Sequence, residues 1–384
     1  MSMYFIGIDI SKYKHDCCII SAADQKVVSK VTIKNNKAGF NELLTIIHSL
    51  ANPADIRIGF ESTAHYALNL ELFLESSLLT FMEVNPVLIS VYKKSKTLRR
   101  TKTDSVDCES IARWLMTVEY KPHSKGFYHA YSLKSLTRLR DKLIRQRSFY
   151  LVKITNVLDH TFPEFKPFFN ERLSKTALYL LENYGSAEKM ARMNSVSYEK
   201  LRSISRGKFS PQQFIALKEL AANTVGVNNS IFDVELNSLL ILNKTLVTEI
   251  NTLEKEINPH YLSVPGIGSI SAAIIYSEYG DISNFDNPGQ MLAFAGIEPG
   301  INESGTESHG GRMVKRGSSQ LRYALINCCL PLIRFDMTFA TYYAKKRAEG
   351  KPHRVAITHV AKKLIRVIYA LERQNTDFCV QKLR

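Results

Sequence analysis

The chain has 384 residues, too many for one ordinary hydrophobic core, so two or three domains are expected. Hydrophobic residues make up 45% and charged residues 23%, which excludes a disordered or fibrous chain. The 51 Lys and Arg against 36 Asp and Glu give a net charge of +15 and a pI near 9.4, so the expected partner is a polyanion. Nucleic acid is preferred to membrane here, because no apolar run approaches the ~20 residues of a spanning helix. The opening "MSMYFIGIDISKYKHD" shows no export signal, which predicts a cytoplasmic protein. The six cysteines, two pairs of them adjacent and none in a CxxC, suit reduced thiols rather than a zinc knuckle or a disulfide framework.

In chain order, "MYFIGIDI" and "KHDCCIISA" are short β-branched strands, and "KVVSKVTIKN" alternates with a period near two. "KAGFNELLTIIHSL" is an amphipathic helix with Phe40, Leu43, Leu44 and Ile47 along one side. "DIRIGFE" is a strand, "ALNLELFLESS" a helix, and "LLTFMEV" a strand that ends at Asn85-Pro86. The result is a mixed sheet with helices packed on it, an α/β domain over residues 1–130. Residues 131–258 read as a helical, coiled-coil region. One helix carries Leu133, Leu136, Leu143, Tyr150, Ile154 and Val157 and stops at Pro163; a second carries Phe232, Leu236, Leu239, Leu246, Ile250 and Leu253. Asn243 sits in the seam of the second helix, either fixing the register of a paired helix or tolerated in an ordinary core. Residues 259–384 read as a helical domain. It opens on "VPGIGSIS", where Gly266 and Gly268 leave backbone N–H groups for phosphate, as in a helix-hairpin-helix element. Its C-terminal basic residues form either a nucleic-acid face or a solvated one.

Four carboxylates stand out. Asp9 ends the first strand and Glu61 closes a later one; each alone could cap a turn or pair with a nearby cation. Asp104 and Asp107 lie three apart, so that on a helix they share a face, either as N-terminal capping groups or as metal ligands. Asp on strand one, Glu on a later strand and Asp-x-x-Asp on a helix is the carboxylate order of an RNase H-like fold, and four hard oxygen donors suit Mg²⁺. Just upstream, "KKSKTLRRTK" has six basic and no acidic residues; Lys96, Arg99, Arg100 and Lys102 are candidates to line a phosphate backbone.

The chain resembles the bridge-RNA-guided insertion-sequence transposases of the DEDD type, related to the pilin-gene invertase. "GIDISK", "FEST", "NP" and "KTDSVD" match the N-terminal RuvC-like domain of that family. "VPGIGSISAAIIYSEYGDISNF", "MLAFAGIEPG", "NESG" and "RMVKRGSSQLRYALI" match its C-terminal transposase domain. The chain departs at Ala64, where the family usually has Gly, and at Cys108, where it usually has Ala. The resemblance implies DNA cleavage and strand exchange with Mg²⁺ on Asp9, Glu61, Asp104 and Asp107. It further implies that a serine in this segment, Ser304 in "NESG" with Ser308 as the nearest alternative, is the nucleophile that forms a 5′-phosphoserine link, with Arg312, Lys315 and Arg316 neutralising the phosphate. Its implied partners are target and donor DNA, a structured non-coding guide RNA, and further copies of the chain in a dimer or tetramer. A metal-dependent junction nuclease with Ser304 inert, or a non-catalytic nucleic-acid-binding protein, would use the same basic surface.

Overall fold

The computed structural model describes residues 3–61, 66–96, 104–122, 127–256, 263–304 and 307–378, with the backbone alone at 96, 104–105, 127–130, 301–304 and 307–312. The chain divides into two compact units, residues 1–129 and 130–384.

The first unit contains β1 (Tyr4–Ile10), β2 (Lys14–Ser21), β3 (Val27–Lys34), α1 (Lys37–Leu50), β4 (Ile56–Glu61), α2 (Leu68–Ser76), β5 (Phe81–Val84), α3 (Pro86–Lys96) and α4 (Asp104–Leu115). The sheet order is β3-β2-β1-β4-β5, antiparallel across the first three strands and parallel from β1 to β4 to β5. Two tight connections make the antiparallel part. The parallel neighbours need a crossover, which α1 and α2 supply. Asn36 opens α1 by accepting from the Gly39 N–H at 2.9 Å.

Strand alternation divides the core in two. Ile6, Ile8 and Ile10 pack with Cys17, Ile19, Ile58 and Phe60 against Phe40, Leu43 and Ile47 of α1 and Leu70 and Leu74 of α2. On the opposite face Phe5 and Val84 meet Ile89 of α3 and Ile111, Trp114 and Leu115 of α4, while Cys18 and Ile20 meet Cys108 and Ala112. Helix α4 comes so close that Gly7 has no room for a side chain: a Cβ there would lie 2.2 Å from the Cys108 carbonyl oxygen and 2.3 Å from the Ala112 nitrogen. Gly59, in register with Gly7 on β4, would meet only the Leu115 side chain, at 2.7 Å. Gly7→Ala should therefore push the helix backbone off the sheet and destabilise the unit by about 1–3 kcal/mol, whereas Gly59→Ala, opposed by a movable side chain, should cost less. Urea unfolding of the two variants compares them directly, and equal effects would contradict the backbone contact.

One carboxyl is buried under the sheet. Glu71 of α2 is 3% exposed and hydrogen-bonds Glu83 of β5; burial, then that bond, pushes it up to about 9. The folded unit keeps the Glu71 proton while the unfolded chain loses it near 4.5, so stability is greatest below that pH and declines as pH rises toward 9. The slope is at most ~1.4 kcal/mol per pH unit. Glu71→Gln, which keeps a donor to Glu83, should flatten the decline and raise the urea midpoint at pH 8 but not at pH 5.

The second unit begins with α5 (Phe127–Thr161), whose first residues precede the boundary, followed by α6 (Phe165–Phe168), α7 (Lys175–Tyr184), α8 (Ala187–Ala191), α9 (Ser195–Ile204), α10 (Pro211–Ala222) and α11 (Ser230–Glu256). Then come α12 (Ser269–Tyr279), α13 (Pro288–Ala295), β6 (Pro299–Ser304), β7 (Glu307–Met313), α14 (Ser319–Phe335), α15 (Met337–Ala348) and α16 (His353–Gln374). Helices α5 and α11 run antiparallel: Arg140 bonds Glu254 at 2.7 Å near one end, and the His160 and Phe232 rings stack at 5.6 Å near the other. Asn243 is buried on the same face as Leu236, Leu240 and Ile250, and its Oδ1 has no hydrogen-bond partner among the described residues. Small helices capped by Ser174, Ser186, Asn194 and Ser210 pack around the far end of this pair. A separate core joins α12, α13, α14 and α16. No single helix among the described residues is long and apolar enough to cross a membrane.

Candidate active site

The sheet register and the close approach of α4 together define the acidic end of the first unit. Ile8 pairs with Phe60, and one step further along β1 and β4 stand Asp9 and Glu61. Alternation turns both toward the α4 face, since Gly7 and Gly59 already touch that helix. Asp16 on β2 is opposite Asp9 in the antiparallel register and faces the same side as Cys18. Asp16, Asp9 and Glu61 thus form one row, next to the row of Cys18, Gly7 and Gly59 over which α4 crosses. Asp104 is the first residue of α4 and Asp107 lies one turn on, just before Cys108, whose carbonyl oxygen meets Gly7.

Like charges directly opposite on paired strands repel unless a cation intervenes. Lys14 holds Asp16 at 3.1 Å, and the Thr32 hydroxyl donates to it. Lys93 of α3 donates to Asp107 at 2.8 Å, placing an ammonium in a cation position beside the helix start. Behind it, Glu109 bonds Lys30 and Arg113, each at 2.8 Å; Lys30 first, with Arg113 acting against burial, holds its carboxyl below the ordinary range. The Cys18 thiol hydrogen-bonds Cys108 across the sheet–helix contact; that bond with burial pushes Cys18 well up, while the same bond, helped by Lys30 against burial, draws Cys108 down. Among the described residues no three ligand-type side chains converge as a finished metal cage. What is present is a set of hard oxygen donors on one face with an ammonium among them, which fits Mg²⁺ in kind.

Asp16 is the residue that the sequence reading missed. The signal was available: β1 and β2 are joined by a short turn, and pairing Ile10 with His15 puts Asp9 opposite Asp16.

In the second unit, Ser304 is the last residue of β6, paired with Glu307 of β7. The sequence reads residues 259–384 as helical, yet this serine ends a strand. The hairpin root is held by backbone: Val314 N–H donates to Glu298 O at 3.0 Å, Lys315 N–H to Gly296 O at 3.2 Å and Ser318 N–H to Phe294 O at 3.3 Å. Neither Gly296 nor Gly317 has room for a Cβ there. Ser318 then caps α14 and also hydrogen-bonds Glu278 of α12. The Glu278 side chain is 1% exposed and takes both prongs of Arg138 from α5, at 2.8 and 3.0 Å, with Lys134 at 3.6 Å. Burial pushes its pKa up, but Arg138 and Lys134 outweigh that and keep it ionised.

Of the remaining candidates, Arg99, Arg100 and Lys102 lie outside the described residues, and Lys96 is described only as the end of α3. Arg312 sits on β7, and Lys315 and Arg316 are exposed just past it. Gly266 adopts a positive φ of 87°, and a Cβ there would meet Leu332 and Pro331 of α14 within 3 Å; its local role is packing. Gly268 opens α12 with nothing within 4 Å of its Cβ direction, so that backbone stays accessible.

An acidic sheet end in one unit and a serine-bearing hairpin among basic residues in the other suit an enzyme that cuts and rejoins DNA, and the comparisons identify that class as transposases and site-specific recombinases. A DEDD transposase model of IS110 type matches residues 6–163, and a model described as transposase IS116/IS110/IS902 family matches residues 260–344. Together these take in well over half of the chain, which belongs to the IS110/IS116/IS902 family of transposases. The pilin gene-inverting protein of Moraxella bovis is 24% identical over 98% of each chain. The IS900 uncharacterized 42 kDa protein of Mycobacterium paratuberculosis is 23% identical over 97% of this chain and 96% of its own. The IS110 uncharacterized 43.6 kDa protein of Streptomyces coelicolor is 28% identical over 59% of each. A structure of T. thermophilus RuvC in complex with Holliday junction substrate aligns with 32% of this chain and 100% of that one, at 10% identity and a TM-score of 0.24, so strand order rather than this alignment carries the fold.

Removing Arg138 strands a buried carboxylate, which is worse than removing both partners. Arg138→Met should lower the unfolding free energy of the second unit by on the order of 2 kcal/mol, with Lys134 still in reach, and adding Glu278→Leu should recover most of it. A double variant no better than the single would rule out a stranded charge as the cause.

Proposed function

We propose that this transposase is a Mg²⁺-dependent, RNA-guided recombinase of its own insertion sequence, in which Asp9, Glu61, Asp104 and Asp107 hold the metal and Ser304 is the nucleophile. The observation that carries the proposal is the row of carboxylates at the sheet end, with the start of α4 held against it through Gly7. The strand order β3-β2-β1-β4-β5, antiparallel then parallel, supports an RNase H-like, RuvC-like fold for this unit. Bound Mg²⁺ would supply Lewis-acid stabilisation of charge on the phosphate.

Ser304 Oγ bonds to phosphorus as the bond from phosphorus to the 3′ oxygen breaks. The serine proton goes to a base, and the departing 3′ oxygen gains one. Because the phosphodiester is exchanged and not hydrolysed, a new 3′ hydroxyl can reverse the step and join a different strand. Lys315 and Arg316, exposed after β7, and Arg312 on that strand are cations at the hairpin that carries the serine. Lys96, Arg99, Arg100 and Lys102, just before α4, and the backbone N–H groups of Gly266 and of the open Gly268 are proposed phosphate contacts. Exchange of several strands needs several sites, hence a dimer or tetramer; Phe149 and Val152 on α5 and Ile241 and Leu242 on α11, all exposed apolar residues, support association through the helical pair. The guide RNA follows from the family resemblance, and the charge of +15 is suited to holding it together with DNA.

Two variants test this. Asp104→Asn should abolish cleavage of labelled DNA in Mg²⁺ while binding persists; Asn caps a helix as well as Asp does, so a capping role alone would leave activity near wild type. Ser304→Ala should remove a covalent protein–DNA adduct that denaturing gels detect with wild-type protein on nicked substrate. Cleavage by Ser304→Ala without an adduct would identify water as the nucleophile and favour the junction-nuclease reading.

A further inference from the structure

The C-terminal helices carry a concentrated cationic surface distant in sequence from every residue assigned above. Helix α15 ends in Lys345, Lys346 and Arg347, Lys351 lies in the connection, and α16 presents His359, Lys362, Lys363 and Arg366. These groups are contiguous. Lys346 and Lys363 stand over the same Tyr342 ring, at 5.5 and 5.0 Å from its centroid. Lys346 bonds Glu349 at 2.8 Å and Lys351 approaches it at 3.8 Å. His359 faces Lys362 on its own helix, Lys346 and Glu349 on α15 and its end, and Lys351. Lys362 in turn faces Arg366 and Glu298.

Glu298 accepts the Val314 N–H at the hairpin root, so one end of the surface adjoins the strands that carry Ser304. Between them, Glu349, Glu298 and Asp336, which faces Lys363, leave most of the seven Lys and Arg side chains uncompensated. Burial lowers the pKa of Lys362, and Arg366 adds to this; burial lowers Lys363, and burial followed by the three lysines lowers His359. An ordinary solvated face spreads its lysines apart. This one brings two lysines over one ring and three around His359, a state that an arriving anion would relieve.

We propose that the α15–α16 face binds the phosphodiester backbone of a nucleic-acid duplex and leads it to the root of the β6–β7 hairpin. From Lys351 to Arg366 the path along α16 is about 20 Å, enough for roughly six 3.4 Å nucleotide steps. The proposal rests on the DNA-recombining function above for its substrate, and it is read by binding, whereas that function is read by cleavage and adduct formation.

The test is a KCl titration of binding by full-length protein to a random-sequence DNA duplex and, separately, a random-sequence RNA duplex. Lys351→Gln/Lys362→Gln/Arg366→Gln should reduce the slope of log K against log salt by ~0.9 for each DNA phosphate no longer neutralised, up to about 2.7. Glu349→Gln, which frees two lysines, should steepen the slope, by ~0.9 for each further phosphate they neutralise. Loss on DNA alone assigns the face to the substrate, loss on RNA alone assigns it to an RNA partner, and loss on both leaves it serving either duplex. Wild-type slopes on both duplexes, with an unchanged unfolding midpoint, would overturn the proposal. If the triple variant does not fold, the Glu349→Gln slope decides.

Discussion

The candidate chemistry of the first unit depends on a helix touching a strand with no side chain between them. At Gly7 the backbone of α4 lies where a Cβ would be, and the register-matched Gly59 lets Leu115 down beside it. On the other face α1 and α2 stand off by full layers of Ile, Leu and Phe, the usual way a helix covers a sheet. The asymmetry has a positional result. A helix at ordinary distance would carry Asp104 and Asp107 away from the strand ends; one seated on glycine brings its first turn down toward the row of Asp9, Asp16 and Glu61. The helix N-terminus also contributes a partial positive charge, which favours carboxylates there.

The second unit solves its positioning problem differently. Its hairpin has few apolar side chains to bury, and its root is fixed by main-chain hydrogen bonds to the end of α13 and by Ser318, which reaches Glu278. Glu278 in turn takes Arg138 from α5. A buried ion pair adds little net stability, but it accepts a single geometry and strongly penalises one partner's loss. That suits a contact whose task is to fix where a helix and a hairpin root stand.

Much of this was legible in the sequence because apolar periodicity is a direct record of burial. The apolar runs of β1, β2 and β4 are buried strands, the 3/4 spacing in α1, α5 and α11 marks faces that are buried or half-buried, and Asn243 shows in its seam from the sequence alone. Asp9 and Glu61 were visible as charges at apolar strand ends. Asp16 was not, since only strand pairing gives it meaning. The β6–β7 hairpin escaped because "PGINES" and "ESHGGRM" are held by backbone contacts and carry almost no alternating hydrophobic signal. The packing of Gly266 against α14 was hidden for the opposite reason: a glycine that opens its backbone to phosphate and one that admits a neighbouring helix look the same in sequence. The departure at Cys108 became intelligible through its contact with Cys18, a partner ninety residues away in sequence.

The antiparallel pair of α5 and α11 separates two cores. Ile154, Val157 and Leu158 of α5 and Leu236 and Leu240 of α11 join the small capped helices at one end, while Arg138 reaches the α12–α16 core from the other. At 35 residues, α5 measures about 50 Å. The pair therefore acts as a spacer whose length is written in helical turns. Adding or deleting matched seven-residue blocks in both helices would change the separation of the two cores while preserving the seam, so the chain could gain or lose reach in evolution without rebuilding either core.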